Sequence, residues 1–396
     1  MKILITTEWY TPTINGVVTS IVNLEKELKK LGHEVRILTL SNGKRSYKKD
    51  HVVYIRSIGA GKIYPGARVT FSKDNQYIEE IVDWKPDIVH SQCEFSTFRI
   101  ARHVAKKCMI PIVHTYHTVY EDYTHYFSPN KKWGKAMVAL FSKKILNQTS
   151  CVIAPTAKVH SILNGYGVTQ PIEVVPTGID MDRFSISITN DQKERLKEKL
   201  HIPKENKVLI SIGRLAKEKN LEEILTFVSQ MKSQNLTLMV VGDGPNRREL
   251  EEMAEKLGIG EQVTFVGMIP PEEIASYYQL GDVFVSASNS ETQGLTYVEA
   301  LANGIPALCR KDPCLENVIE DGVNGWQYTT FEQFEEKLNS ILGQEETYKR
   351  LKYNAKVGAV RKYSSANFAK TMEQLYKHTI NLFQDEQICE VQVHAD

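Results

Sequence analysis

No run of apolar residues in this chain is long enough to cross a bilayer, so the membrane-spanning helical class is not indicated. No tract is low in complexity, and 42% hydrophobic with 24% charged residues is the make-up of a folded globular chain. The six cysteines (Cys93, Cys108, Cys151, Cys309, Cys314 and Cys389) form no CxxC pair and no His/Cys cluster at zinc spacing. Neither a disulfide framework nor a structural zinc site is therefore expected, and reduced, mostly buried thiols are. A formal net charge of +1 shows no overall pull toward a polyanion. There is no recognisable nucleic-acid module and no interleaving of aromatic with basic residues along a strand, so nucleic acid is not an expected partner. The opening segment, residues 1–8, is too short for a signal-peptide core and meets a charge at Glu8. It reads as a first strand, and the protein is expected to stay in the cytoplasm.

The near-zero total hides an asymmetry. Residues 1–180 hold 24 Lys+Arg against 15 Asp+Glu, about +9, while the remainder holds 25 against 33, about −8. A basic half suits an anionic surface or a phosphorylated acceptor.

At 396 residues the chain exceeds one ordinary core, and its pattern repeats. Lys2 to Thr7 reads as a strand, Val17 to Leu31 as an amphipathic helix closed by Gly32, and Glu34 to Leu40 as the next strand. Further strands are expected at Ile88–Ser91, Ile112–Thr115 and Val152–Pro155. A second series starts at Val208, with strands near Leu236–Gly242, Val263–Val266, Val283–Ser286 and Ile305–Leu308. Strands alternating with helices make an α/β chain of two Rossmann-like domains with parallel sheets. The expected division is an N-terminal domain over 1–182, a linker over 183–206, a C-terminal domain over 207–365, and a final helix and tail over 366–396. Two such domains would set their ligand-binding strand ends across a cleft.

The chemistry concentrates in the second series. Gly213 and Arg214 follow the apolar strand that begins at Val208, and Lys219 lies shortly beyond, at the mouth where open α/β sheets bind ligands. Glu291 and Glu299, with seven residues between them, flank a turn at Gly294, Leu295 and Thr296 that opens a helix. The free N–H groups of that turn suit an anion. An Arg fork, a Lys and a helix N-terminus together suit a diphosphate. Glu291 can accept hydrogen bonds from sugar hydroxyls and Glu299 from a ribose diol. Alternatively, Glu291 is a helix-entry carboxylate and Glu299 a solvated one.

These residues resemble the retaining GT-B glycosyltransferases of family 4. The resemblance runs through Asn15-Gly16-Val17, His114 to Thr118, Pro176 to Asp180, Gly213-Arg214 with Lys219-Asn220, Gly242 to Pro245, and the Glu291 and Glu299 pair. It implies the GT-B fold and transfer of a sugar from a nucleotide donor with retention of configuration, without a bound catalytic metal or other cofactor. Arg214 and Lys219 would stabilise the leaving diphosphate, and His117 would contact the donor sugar. Gly16 and Gly242 would leave room for the donor, and the backbone near Gly267 and Met268 would read the base. Where many members carry Gly-Phe-Gly after the first Glu, this chain has Thr292-Gln293-Gly294. That variant, with residues 115–123, is most similar to the bacterial diacylglycerol glucosyltransferases, which implies a UDP-sugar donor and a diacylglycerol acceptor. Other acceptors, such as polyprenyl-linked sugars, a nucleotide-sugar epimerase and a non-catalytic partner subunit are the alternatives.

One segment bears on the acceptor independently. If Lys131 to Gln148 is helical, Trp133, Met137, Leu140 and Phe141 share a face, with Lys131, Lys132, Lys135 and Lys143 roughly opposite. Such a helix suits an anionic membrane interface on the cytoplasmic side, at about 1 kcal/mol per lysine. The same stripe suits an ordinary surface helix packed on its domain core. Gly59 to Phe71 is a candidate second apolar loop.

Overall fold

The computed structural model describes all residues except 62–66, 73–74, 122–129, 232–234, 289 and 394–396; the side chains of Lys131, Ser185 and residues 390–393 are also left aside. The chain forms two compact units, one from residues 1–178 together with the return of the chain from Ser365, the other from Ile179–Ser364.

In the first unit, strands are β1 (Lys2–Thr6), β2 (Glu34–Leu40), β3 (Tyr47–Lys49), β4 (Val52–Ile55), β5 (Ile58–Gly59), β6 (Arg68–Val69), β7 (Ile88–Ser91), β8 (Ile112–Thr115), β9 (Cys151–Ala154) and β10 (Ile172–Val174). An eight-stranded sheet has the order β10-β9-β8-β7-β1-β2-β4-β3, parallel throughout except where β3 pairs with β4. From β1 the chain first builds toward β2 and β4, then returns to β7 on the other side of β1. The loops after β1 and β7 therefore diverge, leaving a crevice at their carboxyl ends.

The second unit holds β11 (Lys207–Ile212), β12 (Leu236–Val241), β13 (Val263–Gly267), β14 (Val283–Ser286), β15 (Ala307–Arg310) and β16 (Gly325–Tyr328). Their order is β13-β12-β11-β14-β15-β16, all parallel, which puts the reversal between β11 and β14. Near-continuous Val, Ile and Leu in β11 and β12 follows from burial on both faces of the sheet.

The boundaries differ from those expected in two places. The last helix, Ser365–Val393, is neither a separate element nor part of the unit it follows. Its Phe368, Ala369, Met372 and Tyr376 enter the core of the first unit with Ile3, Ile5, Ile21 and Leu24. The stretch expected as a linker carries helix Asn190–Lys199, opened by a Thr189/Gln192 capping box. Ile188, Leu196 and Leu200 pack on the core of the second unit, so this segment is part of that unit.

Candidate active site

Three neighbouring strands of the first unit, β8, β7 and β1, deliver polar side chains to one edge. Glu8 lies two residues beyond β1, Gln92 and Glu94 follow β7, and His117 follows β8. Glu8 Oε1 accepts the backbone N–H of Thr97 at 3.0 Å. That group opens helix Ser96–Cys108, whose own cap residue Phe95 offers no side-chain acceptor. Burial, with a further contribution from the charge of Glu94, pushes Glu8 up to about 7. Glu94 is itself buried; its Oε1 is 3.3 Å from His114 Nε2, and its Oε2 accepts the Tyr120 hydroxyl at 2.5 Å.

A carboxyl whose pKa is raised by folding stabilises the folded state fully below its unfolded value, and this contribution is lost as pH rises through its folded value. For Glu8 that window runs from 4.5 to about 7. The isosteric Glu8→Gln therefore raises the melting temperature at pH 8, by an energy on the order of 3 kcal/mol, and leaves it unchanged at pH 4. Thermal unfolding at the two pH values checks this; equal shifts at both would mean that the charge of Glu8 is not the cause.

His117 sits half-buried at the same edge, with its Nε2 2.6 Å from Gln92 Oε1. Burial, and then the neighbouring His114, push its pKa down to about 3, so the ring is neutral near pH 7. Gly16 is the exposed first residue of helix Gly16–Lys30, capped by Asn15, whose side chain accepts the Val18 N–H at 2.9 Å.

In the second unit, the loops on either side of the β11/β14 reversal carry most of the donor-binding candidates. Arg214 is half-buried directly after β11 and Gly213. Lys219 ends a single 3-10 turn, Lys217–Lys219, and its Nζ is 2.6 Å from Glu291 Oε1 in the loop after β14. Asn220, at φ +50°, ties the same two loops together through Nδ2 to the Ala287 carbonyl at 3.4 Å. Gly294, at φ +71°, turns the chain into helix Leu295–Ala302, with Leu295 and Thr296 half-buried in its first turn. Glu299 is half-buried, and its Oε2 accepts the Tyr278 hydroxyl at 2.8 Å. Burial pushes it up to about 7. On the other side of β11, Gly242 directly follows β12, and Met268 follows β13, exposed.

The structure thus brings Arg214, Lys219, Glu291, the Gly294 turn and Glu299 to one end of one sheet, and sets His117 and Gly16 in the other unit. Sequence reasoning missed Glu8, Gln92, Glu94, Tyr120 and Tyr278. The first three carry a signal, being polar residues within three positions of the end of an apolar strand. Tyr120 lies in the 115–123 stretch that entered only through its resemblance, and Tyr278 carries none.

Helix Lys131–Leu146 turns a different face inward from its apolar stripe. Gly134, Val138, Ser142 and Leu146 are buried, while Trp133, Met137, Leu140 and Phe141 are 71%, 55%, 70% and 36% exposed. The stripe is therefore not the core-packing face. Lys132, Lys135 and Lys143 are exposed, with Lys135 paired to Glu121 at 2.6 Å. The side chain of Lys131, and residues 62–66 of the second apolar loop, lie outside the described residues. Phe141 stacks on the exposed Phe95 at 5.6 Å, and Phe95 meets the ring of Tyr120 at 5.9 Å. An exposed apolar ridge thus runs from the helix to the edge that holds Glu94.

Residues 14–183 match the family described as Glycosyltransferase Family 4, and residues 192–357 match Glycosyl transferases group 1. The chain is 35% identical over 395 residues to an alpha-monoglucosyldiacylglycerol synthase of Acholeplasma laidlawii, covering 96% of this chain and 98% of that one. It belongs to this glycosyltransferase family. A synthase of the same description from Streptococcus pneumoniae is 37% identical over 332 residues, covering 83% of this chain and 75% of the relative. The Anabaena HepE structure in complex with UDP and glucose superposes with a TM-score of 0.74 at 16% identity, over 96% of this chain and 100% of that one. Sucrose-phosphate synthase from Thermosynechococcus elongatus gives 0.75 at 19%, over 96% and 99%. These two likenesses establish the GT-B fold, and the relatives make this glycosyltransferase a member of a glycolipid-synthesising group.

Proposed function

We propose that this glycosyltransferase moves a glucosyl group from UDP-glucose to the 3-hydroxyl of diacylglycerol, with retention of configuration, on the cytoplasmic face of the membrane. The single observation that carries the lipid acceptor is the exposed ridge of Trp133, Met137, Leu140 and Phe141 continuing through Phe95 to Tyr120 and Glu94. A polar acceptor has no use for such a surface, whereas an acyl chain leaving a bilayer does. The names of the two synthases favour the same acceptor.

In this reading Arg214, Lys219 and the N–H groups at Gly294, Leu295 and Thr296 meet the charge that grows on the departing diphosphate, in place of a metal ion. Glu291 accepts from sugar hydroxyls, Glu299 from the ribose, and the backbone at Met268 from the base. His117 hydrogen-bonds the transferring sugar. The bond from C1 to the diphosphate oxygen breaks as the bond from C1 to the glycerol oxygen forms on the same face, and the hydroxyl proton passes to the departing oxygen. No covalent intermediate is needed.

The test is UDP release by the purified protein in anionic detergent–lipid micelles, with UDP-glucose and UDP-galactose supplied separately, with and without diacylglycerol. Mass spectrometry of the extracted lipid identifies the product. Release dependent on diacylglycerol, with a hexosyl-diacylglycerol product, upholds the reading; turnover only with another glycan acceptor sinks it. The membrane surface has its own test in a variant carrying Trp133→Ser, Met137→Ser and Leu140→Ser. These side chains are exposed, so the fold survives, and cosedimentation with anionic vesicles falls by more than about a hundredfold. Undiminished binding would move the membrane contact elsewhere.

A further inference from the structure

A line of hydrogen bonds in the first unit runs from the C-terminal helix to His117. His90 Nδ1 is 2.6 Å from the hydroxyl of Tyr376, which projects from helix Ser365–Val393. His90 Nε2 is 2.7 Å from Thr115 Oγ1 and 3.0 Å from Gln92 Nε2. The other end of the Gln92 amide, Oε1, is 2.6 Å from His117 Nε2. Tyr376, His90, Gln92 and Thr115 are all buried.

We infer that Gln92, His90 and Tyr376 are positioning residues that hold His117 in a single tautomer and ring orientation. An amide nitrogen only donates, so His90 Nε2 must carry the lone pair, and its proton lies on Nδ1 toward Tyr376. An amide oxygen only accepts, so His117 Nε2 must carry a proton, and Nδ1 carries the lone pair. Because one amide serves both rings, the two tautomers are coupled: turning the Gln92 amide over would reverse both. The groups around the relay are His114, His90 and, through His114, Glu94; burial and the neighbouring imidazoles keep His90 and His117 neutral, as the relay requires. The arrangement also gives the return of the final helix to the first unit a consequence at the site edge, since that helix supplies the terminal partner.

The importance of this relay for turnover rests on the proposed contact of His117 with substrate, whereas its existence does not. Nitrogen-15 NMR of the ligand-free 396-residue chain at pH 7 is expected to show His117 protonated at Nε2 and His90 at Nδ1; the reverse pair would overturn the assignment. In Gln92→Glu, a carboxylate in place of the amide raises the pKa of His117 by about one unit or more and moves the acid limb of kcat/KM by the same amount. An unmoved His117 pKa in the folded variant would also overturn the relay. A His117 shift without a matching shift in the rate profile keeps the relay and removes His117 from the reaction. Gln92→Leu lowers kcat about tenfold or more with little change in donor KM; Tyr376→Phe, which removes only a hydroxyl, redistributes the His90 tautomers in the same spectra.

Discussion

Replacing Arg214 by alanine lowers kcat about a hundredfold or more while the melting temperature stays within a few degrees of that of the parent protein. The residue follows Gly213 at the carboxyl end of β11, beside the sheet reversal, and belongs to neither core cluster of its unit. Its removal therefore takes little packing with it. In the proposed reaction it takes away a guanidinium that would meet the growing negative charge, a loss worth about 10²–10³ in turnover. Arg214→Lys recovers only part of this, because a point charge does not reproduce the two-pronged fork. Lys219 is a less clean probe. Its ammonium is the 2.6 Å partner of Glu291, whose side chain is only 12% exposed, so Lys219→Ala also takes a close cation away from a largely buried carboxylate. Steady-state kcat and KM with a thermal melt decide the matter, and a folded Arg214→Ala enzyme with parental kcat would take Arg214 out of the leaving-group role.

Much of the second sheet was legible because its strands are buried on both faces. The run at Val208, the segment Val283–Ser286 and their followers Arg214 and Glu291 stood out as apolar stretches ending in charge. β16 did not, since Gly325–Tyr328 offers Gly-Trp-Gln-Tyr rather than an apolar run. β3 escaped for a related reason, Tyr47–Lys49 being wholly exposed at the sheet margin, whereas β4, Val52–Ile55, is a buried apolar run too short to stand out. The stripe of Phe368, Ala369, Met372 and Tyr376 shows in sequence that one face of the last helix is buried, but not which surface covers it. That gap misplaced the helix and hid the Tyr376–His90 contact. The helix Lys131–Leu146 was ambiguous for a related reason. Its apolar stripe was visible, whereas its packing face is made of Gly134 and Ser142 as much as of Val138 and Leu146, and small residues carry no hydrophobic signature. The pairing of Lys219 with Glu291 joins loops from two non-consecutive strands, and only the sheet order makes them neighbours.

The same logic gives Gly242 an effect that its place in a glycine motif alone does not explain. A methyl group there would lie 1.9 Å from the carbonyl oxygen of Gly213, at a φ of +129° that side chains avoid. The backbone cannot retreat easily, because Gly242 donates to the Gly267 carbonyl at 2.9 Å while Gly213 donates to the Val241 carbonyl at 3.0 Å. Strand ends β11, β12 and β13 are thus held together where Gly213 and Gly242 have no side chains to separate them. Gly242→Ala is expected to destabilise the protein by about 3 kcal/mol or more, the sum of steric overlap and backbone strain. Gly358→Ala supplies the contrast: that glycine sits within helix Glu345–Tyr363 with nothing within 4 Å of the added carbon, so the change stabilises by about 0.5–1 kcal/mol. Urea unfolding of both variants reads the opposite signs. The folded fraction of Gly242→Ala also turns over more slowly, since the group displaced is the Gly213 carbonyl and the next residue is Arg214. Parental stability in Gly242→Ala would mean that the three strand ends do not approach as closely as the structure has them, and the positioning of Arg214 would then need another cause.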